Sequence, residues 1–310
     1  MPNEDIAPVA IVTGAGRGLG REHALALARA GWSVVVNDLG GAGNGIGADA
    51  TPAQSVVAEI EALGGKAVAD GADISNWNAA GALIQKAVDT FGRLDGLVNN
   101  AGVLRDRTLA NFTEEDWDIS VTVNLKGTAA PMHHAARYWR DLAKQTGGAV
   151  RGAIVNTSSA SGLYGNPGQG NYAASKLGVT ALTLVAAREL ERYGIRVNAV
   201  APVASTRLTE SVMSQEAKDR FDPSLVSPLV VYLLSEQAAG ITGRVFEMGA
   251  GSVVAVEMAH PGVGMRAADG LWTVADLARV VPGLVAQLQP QDDSRSAGKF
   301  MSSAPLDRGA

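Results

Sequence analysis

The 310-residue sequence has no cysteine. That excludes a disulfide framework, a thiolate zinc site and a thiol nucleophile. Histidine is scarce, and its four copies do not make a metal site. His133 and His134 are adjacent on a helix candidate and so diverge, His23 reads as a packed or surface residue of the first helix, and His260 has no acid-rich neighbourhood. No metal is therefore expected. No stretch reaches the roughly eighteen uncharged apolar residues of a membrane span. The opening MPNEDIAPVA lacks the basic start and apolar core of a secretory signal, so a soluble cytoplasmic protein is expected. Cations are the minority charge, 26 Lys and Arg against 31 Asp and Glu, for a net charge of -5. Such a chain is poorly suited to gripping phosphate backbones, and no nucleic-acid partner is expected.

Glycine, at 37 residues, is abundant. It suits close helix-to-sheet packing and cofactor loops. From Ala7 to about Gly251 short β-branched runs alternate with longer helical stretches. Strands are predicted at Val9 to Gly14, Ser33 to Asp38, Lys66 to Asp73, Gly96 to Gly102, Gly152 to Ser159, Ile195 to Pro202 and Arg244 to Gly249. Helices are predicted at Gly20 to Ala30, Pro52 to Leu63, Asn78 to Phe91, Glu114 to Arg140, Tyr172 to Tyr193 and Ser224 to Leu234. Several strand candidates are continuously apolar, as when helices cover both faces of a parallel sheet. The pattern predicts one doubly wound α/β domain with about seven parallel strands, spanning residues 1–262.

Four segments break the rhythm. Gly40 to Ala50 is a Gly-rich insertion near the expected cofactor edge, and Thr206 to Asp222 suits a lid over a ligand. Residues 263–290 hold an apolar helical extension, interrupted at Pro282, that suits packing or subunit contact. Residues 291–310 are polar and expected to be a disordered tail.

Thr13 to Gly20 reads TGAGRGLG, after one strand and opening a helix. Gly14, Gly18 and Gly20 allow a tight turn and close approach of a pyrophosphate to the helix N-terminus, with Arg17 and Leu19 between them. Asp38 closes the second strand, where a carboxylate accepts hydrogen bonds from a ribose diol and repels a 2'-phosphate. NAD is therefore expected over NADP, although Arg17 could meet a 2'-phosphate. Asp73, followed by Ile74, could bond an adenine amine or cap the next helix. Asn99, Ala101 and Gly102, in NNAG, can border the cofactor, as can Pro202 and Thr206 after the sixth strand.

Tyr172 and Lys176 lie four apart at the start of a helix and share a face. A phenol of ordinary pKa about 10 becomes a useful acid/base where cations favour its phenolate, and Lys176 is expected to supply that field. Ser159, just beyond the fifth strand, can hold the substrate oxygen.

With TGAGRGLG, NNAG, Ser159 and YAASK, residues 7–251 resemble the short-chain dehydrogenase/reductase family. The resemblance implies a Rossmann-like fold, hydride transfer between a nicotinamide and a secondary alcohol or ketone, and Tyr172 as acid/base. It also implies Asn124 as a fourth catalytic member, holding a water in a proton relay to Lys176, and homodimers or homotetramers paired through the long helices. VVVNDLGG, AGVLRDRT, EEDWD, SSASGLYGNPGQGNYAASKLG and FEMGAG further resemble the (3R)-hydroxyacyl-CoA dehydrogenase domain of peroxisomal multifunctional β-oxidation proteins. That implies a stand-alone enzyme for a (3R)-hydroxyacyl-CoA or a 17β-hydroxysteroid-like alcohol. An NADP-dependent 3-oxoacyl-thioester reductase is the alternative. Arg105 and Arg107 are candidate contacts for a CoA phosphate or a subunit, with solvated rim charges the plainer reading.

Overall fold

In β1 (Val9–Thr13) Val9 and Ile11 point to one side and Ala10 and Val12 to the other, and none is exposed to solvent. A strand buried on both faces has no polar alternation, which is why the sequence runs apolar there. A computed structural model of the chain describes residues 7–41, 44, 47–204, 221–258, 264–266 and 272–287. Among them one sheet contains β1, β2 (Ser33–Asn37), β3 (Ala67–Asp70), β4 (Gly96–Asn99), β5 (Gly152–Thr157), β6 (Ile195–Pro202), β7 (Val245–Gly249) and β8 (Ser252–Ala255). Their spatial order is β3-β2-β1-β4-β5-β6-β7-β8. The first seven are parallel, as expected, and β8 returns antiparallel on β7. Ala250 and Gly251, both with positive φ (48° and 78°), make the two-residue hairpin that admits this eighth strand.

The helices are α1 (Gly18–Arg29), α2 (Thr51–Ala62), α3 (Trp77–Phe91), α4 (Glu114–Ser120), α5 (Gly127–Thr146), α6 (Ala160–Tyr164), α7 (Gly170–Leu190), α8 (Ser227–Leu234) and α9 (Val274–Val285). One core places Leu25 and Leu27 of α1, Ile60 of α2 and Leu233 of α8 on the face that carries Val12 and Val36. The other sets Leu83 of α3, Trp139 of α5 and Ala187 of α7 against Ile11, Leu97 and Ile154. The architecture is Rossmann-like, and the strand order reverses between β1 and β4. A crevice therefore opens at the carboxyl ends of those strands.

The helix expected from Glu114 to Arg140 is in fact α4, a π-helical turn (Val121–Lys126) and α5. Thr113 and Asp116 close a capping box at the start of α4. Beneath α7 lies a polar seam. Asn99 Nδ2 donates to Asn156 Oδ1 (2.9 Å), Asn156 Nδ2 to Thr183 Oγ1 (2.9 Å), and the Ser158 and Thr180 hydroxyls meet at 2.7 Å. The expected extension helix appears as α9 with Pro282 inside it, and none of its residues is buried. No helix among the described residues is long and apolar enough to cross a membrane.

Candidate active site

The crevice is a cleft of about 410 Å³ running from the glycine turn to the N-terminus of α7. At one end Gly14, Arg17, Gly18 and Leu19 form its floor. Gly14 has φ +62°, and a Cβ there would sit 2.7 Å from the Ala101 Cα, so this turn tolerates no side chain. No side chain caps α1 at Arg17, which leaves its first-turn N–H groups facing the cleft. That arrangement fits a pyrophosphate. Asp38 lies beside it, accepting from the Gly16 N–H (2.7 Å) and the Gly40 N–H (2.6 Å). These two bonds fix the carboxylate and leave acceptor sites on it for a diol. Asp73, Ile74, Ala101, Gly102 and Pro202 also line the cleft.

Two expected cofactor residues stand elsewhere. Asn99 is 2 % exposed and belongs to the seam under α7, so Asn100 is the NNAG asparagine that borders the cleft. Its Nδ2 ties down the Thr13 and Gly14 carbonyls at 3.0 and 3.1 Å. Gly20 does not line the cleft but lies behind the turn, where a Cβ would strike the Gly14 carbonyl. Thr206 and most of the expected lid lie outside the described residues, as do His260 and the tail. Asp73 does not cap α3: it accepts from the Ser75 N–H (2.9 Å) and hydroxyl (2.7 Å), while Asn76 is the N-cap.

At the other end Ser159, Tyr172 and Lys176 meet. Ser159 caps the five-residue helix α6, which follows β5 directly. Its side chain faces the same end of the cleft as Tyr172 and favours the phenolate. Lys176 is 2 % exposed, donates from Nζ to the Thr157 carbonyl (2.8 Å) and stands 5.6 Å from the centre of the Tyr172 ring. Burial lowers its pKa to about 8. Burial pushes the Tyr172 phenol up to about 12; Ser159 opposes the rise and the Asp106 carboxylate adds to it. The expected lowering by Lys176 does not set the phenol here, because desolvation dominates.

Asn124 sits in the π-helical turn, fully buried and outside the cleft lining. Its amide donates to the Val103 carbonyl (3.0 Å) and Ser120 Oγ (3.2 Å) and accepts from the Val103 N–H (2.9 Å). The side chain is committed to fixing the segment after NNAG. Its Oδ1 lies 2.8 Å from where a Gly102 Cβ would be, and Lys176 Nζ 3.6 Å from the same point, so Gly102 lets the two groups approach.

Asn37, Ser161, Asn166 and Gln169 also line the cleft and were not expected from the sequence. Arg105 donates to the Asn44 carbonyl (2.8 Å) and approaches Asp116 at 3.7 Å, which ties it to protein rather than solvent. A larger groove of about 620 Å³ between α1 and α8 contains none of the expected site residues. The smaller cleft is the site because the glycine turn and the Ser-Tyr-Lys cluster converge there.

The profile of the short chain dehydrogenase family matches residues 8–219, and the chain belongs to that family. It is similar to the mouse peroxisomal multifunctional enzyme type 2, 46% identical over 243 residues that make up 78% of this chain and 32% of that enzyme. The chain therefore spans about a third of that relative. It is also similar to the hydroxyacyl-CoA dehydrogenase ChsB1 of Mycobacterium tuberculosis, 43% identical over 91% of this chain and 90% of that protein. The crystal structure of a short chain dehydrogenase from Mycobacterium avium superposes with a TM-score of 0.83 at 48% identity, covering 92% of this chain and 96% of that one. By family the protein is an oxidoreductase.

Proposed function

We propose that the protein interconverts a (3R)-hydroxyacyl thioester and its 3-oxoacyl counterpart with NAD, with residues 1–262 as the catalytic unit. The observation that carries the reading is the convergence of Ser159, Tyr172 and Lys176 in one cleft with the Gly14 to Leu19 turn and Asp38. The uncapped N-terminus of α1 would hold the pyrophosphate, and Asp38 the adenosine ribose, where its charge disfavours a 2'-phosphate. A bound nicotinamide supplies or accepts the hydride.

In reduction Tyr172 gives its proton to the substrate oxygen, which the Ser159 hydroxyl also holds. A phenol raised to about 12 is protonated at neutral pH and ready for that step. In oxidation the proton returns to Tyr172, and the Lys176 cation beside the ring favours the phenolate. Asn124 keeps Gly102 and Val103 in place beside Lys176. The similarity to the hydroxyacyl-CoA dehydrogenase supports the thioester over a steroid alcohol. α7 exposes Leu177 (49 %) and Val185 (52 %) on its outer side, which supports pairing of subunits through this helix into a homodimer or homotetramer.

The test is NADH formation from (3R)-hydroxyacyl-CoAs and a 17β-hydroxysteroid, each offered with NAD and with NADP. Turnover of a thioester with NAD, reduced at least about 10³-fold in Tyr172→Phe with NADH binding retained, is the expected result. Turnover confined to NADP or to the steroid would overturn the reading.

A further inference from the structure

On the cleft wall beyond Ser159 and Tyr172, three polar side chains converge on Gln169. Its Nε2 donates to Asp106 Oδ2 (2.8 Å), and its Oε1 accepts from the Ser161 hydroxyl (2.6 Å) and from Asn166 Nδ2 (2.9 Å). Ser161, Asn166 and Gln169 all line the cleft, and Asp106 stands outside it. An ionised carboxylate only accepts, so Asp106 dictates which way the Gln169 amide faces. Both lone-pair directions of Oε1 are then filled, and one Nε2 hydrogen is left over. Asn166 likewise has one amide hydrogen beyond its bond to Gln169. The wall presents hydrogen-bond donors and no free acceptor on the glutamine.

The spacing has a chemical counterpart. Gln169 is the N-cap residue of α7, with its side chain unused for capping, and Tyr172 is the third residue of the helix. Residues three apart are neighbours on one helix face, about 5–6 Å apart at Cβ. A 3-oxoacyl thioester carries two carbonyl oxygens, on carbons 1 and 3, close enough together to be met by neighbouring side chains of one wall. With O3 on Tyr172 and Ser159, O1 would face the donors on the neighbouring part of the same cleft.

We propose that Gln169 is a specificity-determining residue that donates to the thioester carbonyl oxygen of the substrate, and that Asp106 is a positioning residue acting through it. The inference rests on the thioester reading above and deepens it. Two further bonds hold this wall as a unit: Arg107 N–H donates to the Gly168 carbonyl (2.8 Å), and Asn171 Nδ2 donates to the Arg105 carbonyl (3.0 Å). A substrate with a carbinol but no second carbonyl would forgo this hydrogen bond and be selected against by its loss.

The test compares two ketones that share the CoA handle. Acetoacetyl-CoA has the second carbonyl, and S-(3-oxobutyl)-CoA, the adduct of CoA with methyl vinyl ketone, replaces it by a methylene. The variants are Gln169→Met, which keeps the length and loses the donor, and Gln169→Leu, with NADH binding measured for both as a check on the fold. The expected loss in kcat/KM is about tenfold or more larger for acetoacetyl-CoA than for the thioether, carried mainly by KM. Asp106→Asn should show the same bias more weakly. Equal losses on the two ketones overturn the role of Gln169 while leaving the thioester reading intact. No reduction of either ketone by the unaltered enzyme overturns both.

Discussion

His23 offers a stability test that is independent of catalysis. Its ring is 2 % exposed, in the middle of α1, and Nδ1 lies 2.9 Å from Ser227 Oγ of α8. Burial lowers its pKa from 6.5 to about 3. The folded protein therefore keeps the ring neutral across a range where the unfolded chain takes up a proton. Between those two values the unfolded state binds more protons, so stability falls as the pH is lowered through 6.5 and continues to fall towards 3. Each pH unit contributes about 1.4 kcal/mol, so lowering the pH to about 5 removes about 2 kcal/mol. Glu247 works in the opposite sense, because burial raises its pKa and acid favours its folded form. Comparison with His23→Gln, an uncharged partner for Ser227, cancels Glu247 and every other common group. Thermal unfolding of both proteins from pH 7.5 to pH 5 should show the native chain losing about 4–6 °C more than the variant. Parallel curves would refute the assignment of a neutral buried imidazole.

Lys176, held near pKa 8 by burial, loses its charge as the pH rises through that value. The rate of oxidation should decline above about pH 8 in the native enzyme, and Lys176→Arg, slower throughout, should lack that limb; an unchanged limb would assign it to another group. Asp38→Asn removes the charge and one of the bonds to Gly16 or Gly40, and the NAD to NADP preference in kcat/KM should narrow by about tenfold or more. Gly14→Ala places a side chain at positive φ against Ala101, and a fall of about 1–3 kcal/mol in stability with loss of NADH affinity is expected from thermal unfolding and fluorescence titration.

The parallel sheet was legible because its strands are apolar without alternation, and the glycine turn because it falls between one such run and a helix. What escaped has local causes. β8 follows Ala250 at positive φ, where the usual Asn-Gly or Asp-Gly signal of a two-residue hairpin is replaced by Ala-Gly. The π-helical turn leaves the apolar spacing of Glu114 to Arg140 looking like one helix, since it adds a residue to a turn that itself contains no Pro or Gly. Asn99 and Asn100 are adjacent and chemically identical, and only strand pleating sends the first under α7 and leaves the second at the cleft. Ser159, Tyr172 and Lys176 were readable from spacing, whereas Ser161, Asn166 and Gln169 are common loop residues whose meaning comes from Asp106, distant in sequence.

The seam under α7 bears on where Lys176 can stand. Greasy surfaces slide, since apolar contacts have no direction and a helix resting on them can advance by one residue at modest cost. The hydrogen bonds from Asn156 to Thr183 and between the Ser158 and Thr180 hydroxyls act instead as teeth on a rack. A slip of one residue, about 1.5 Å along the axis and about 100° around it, would strip both pairs at once. The helix is thereby indexed against the sheet, and the ammonium reaches the Thr157 carbonyl at a single notch.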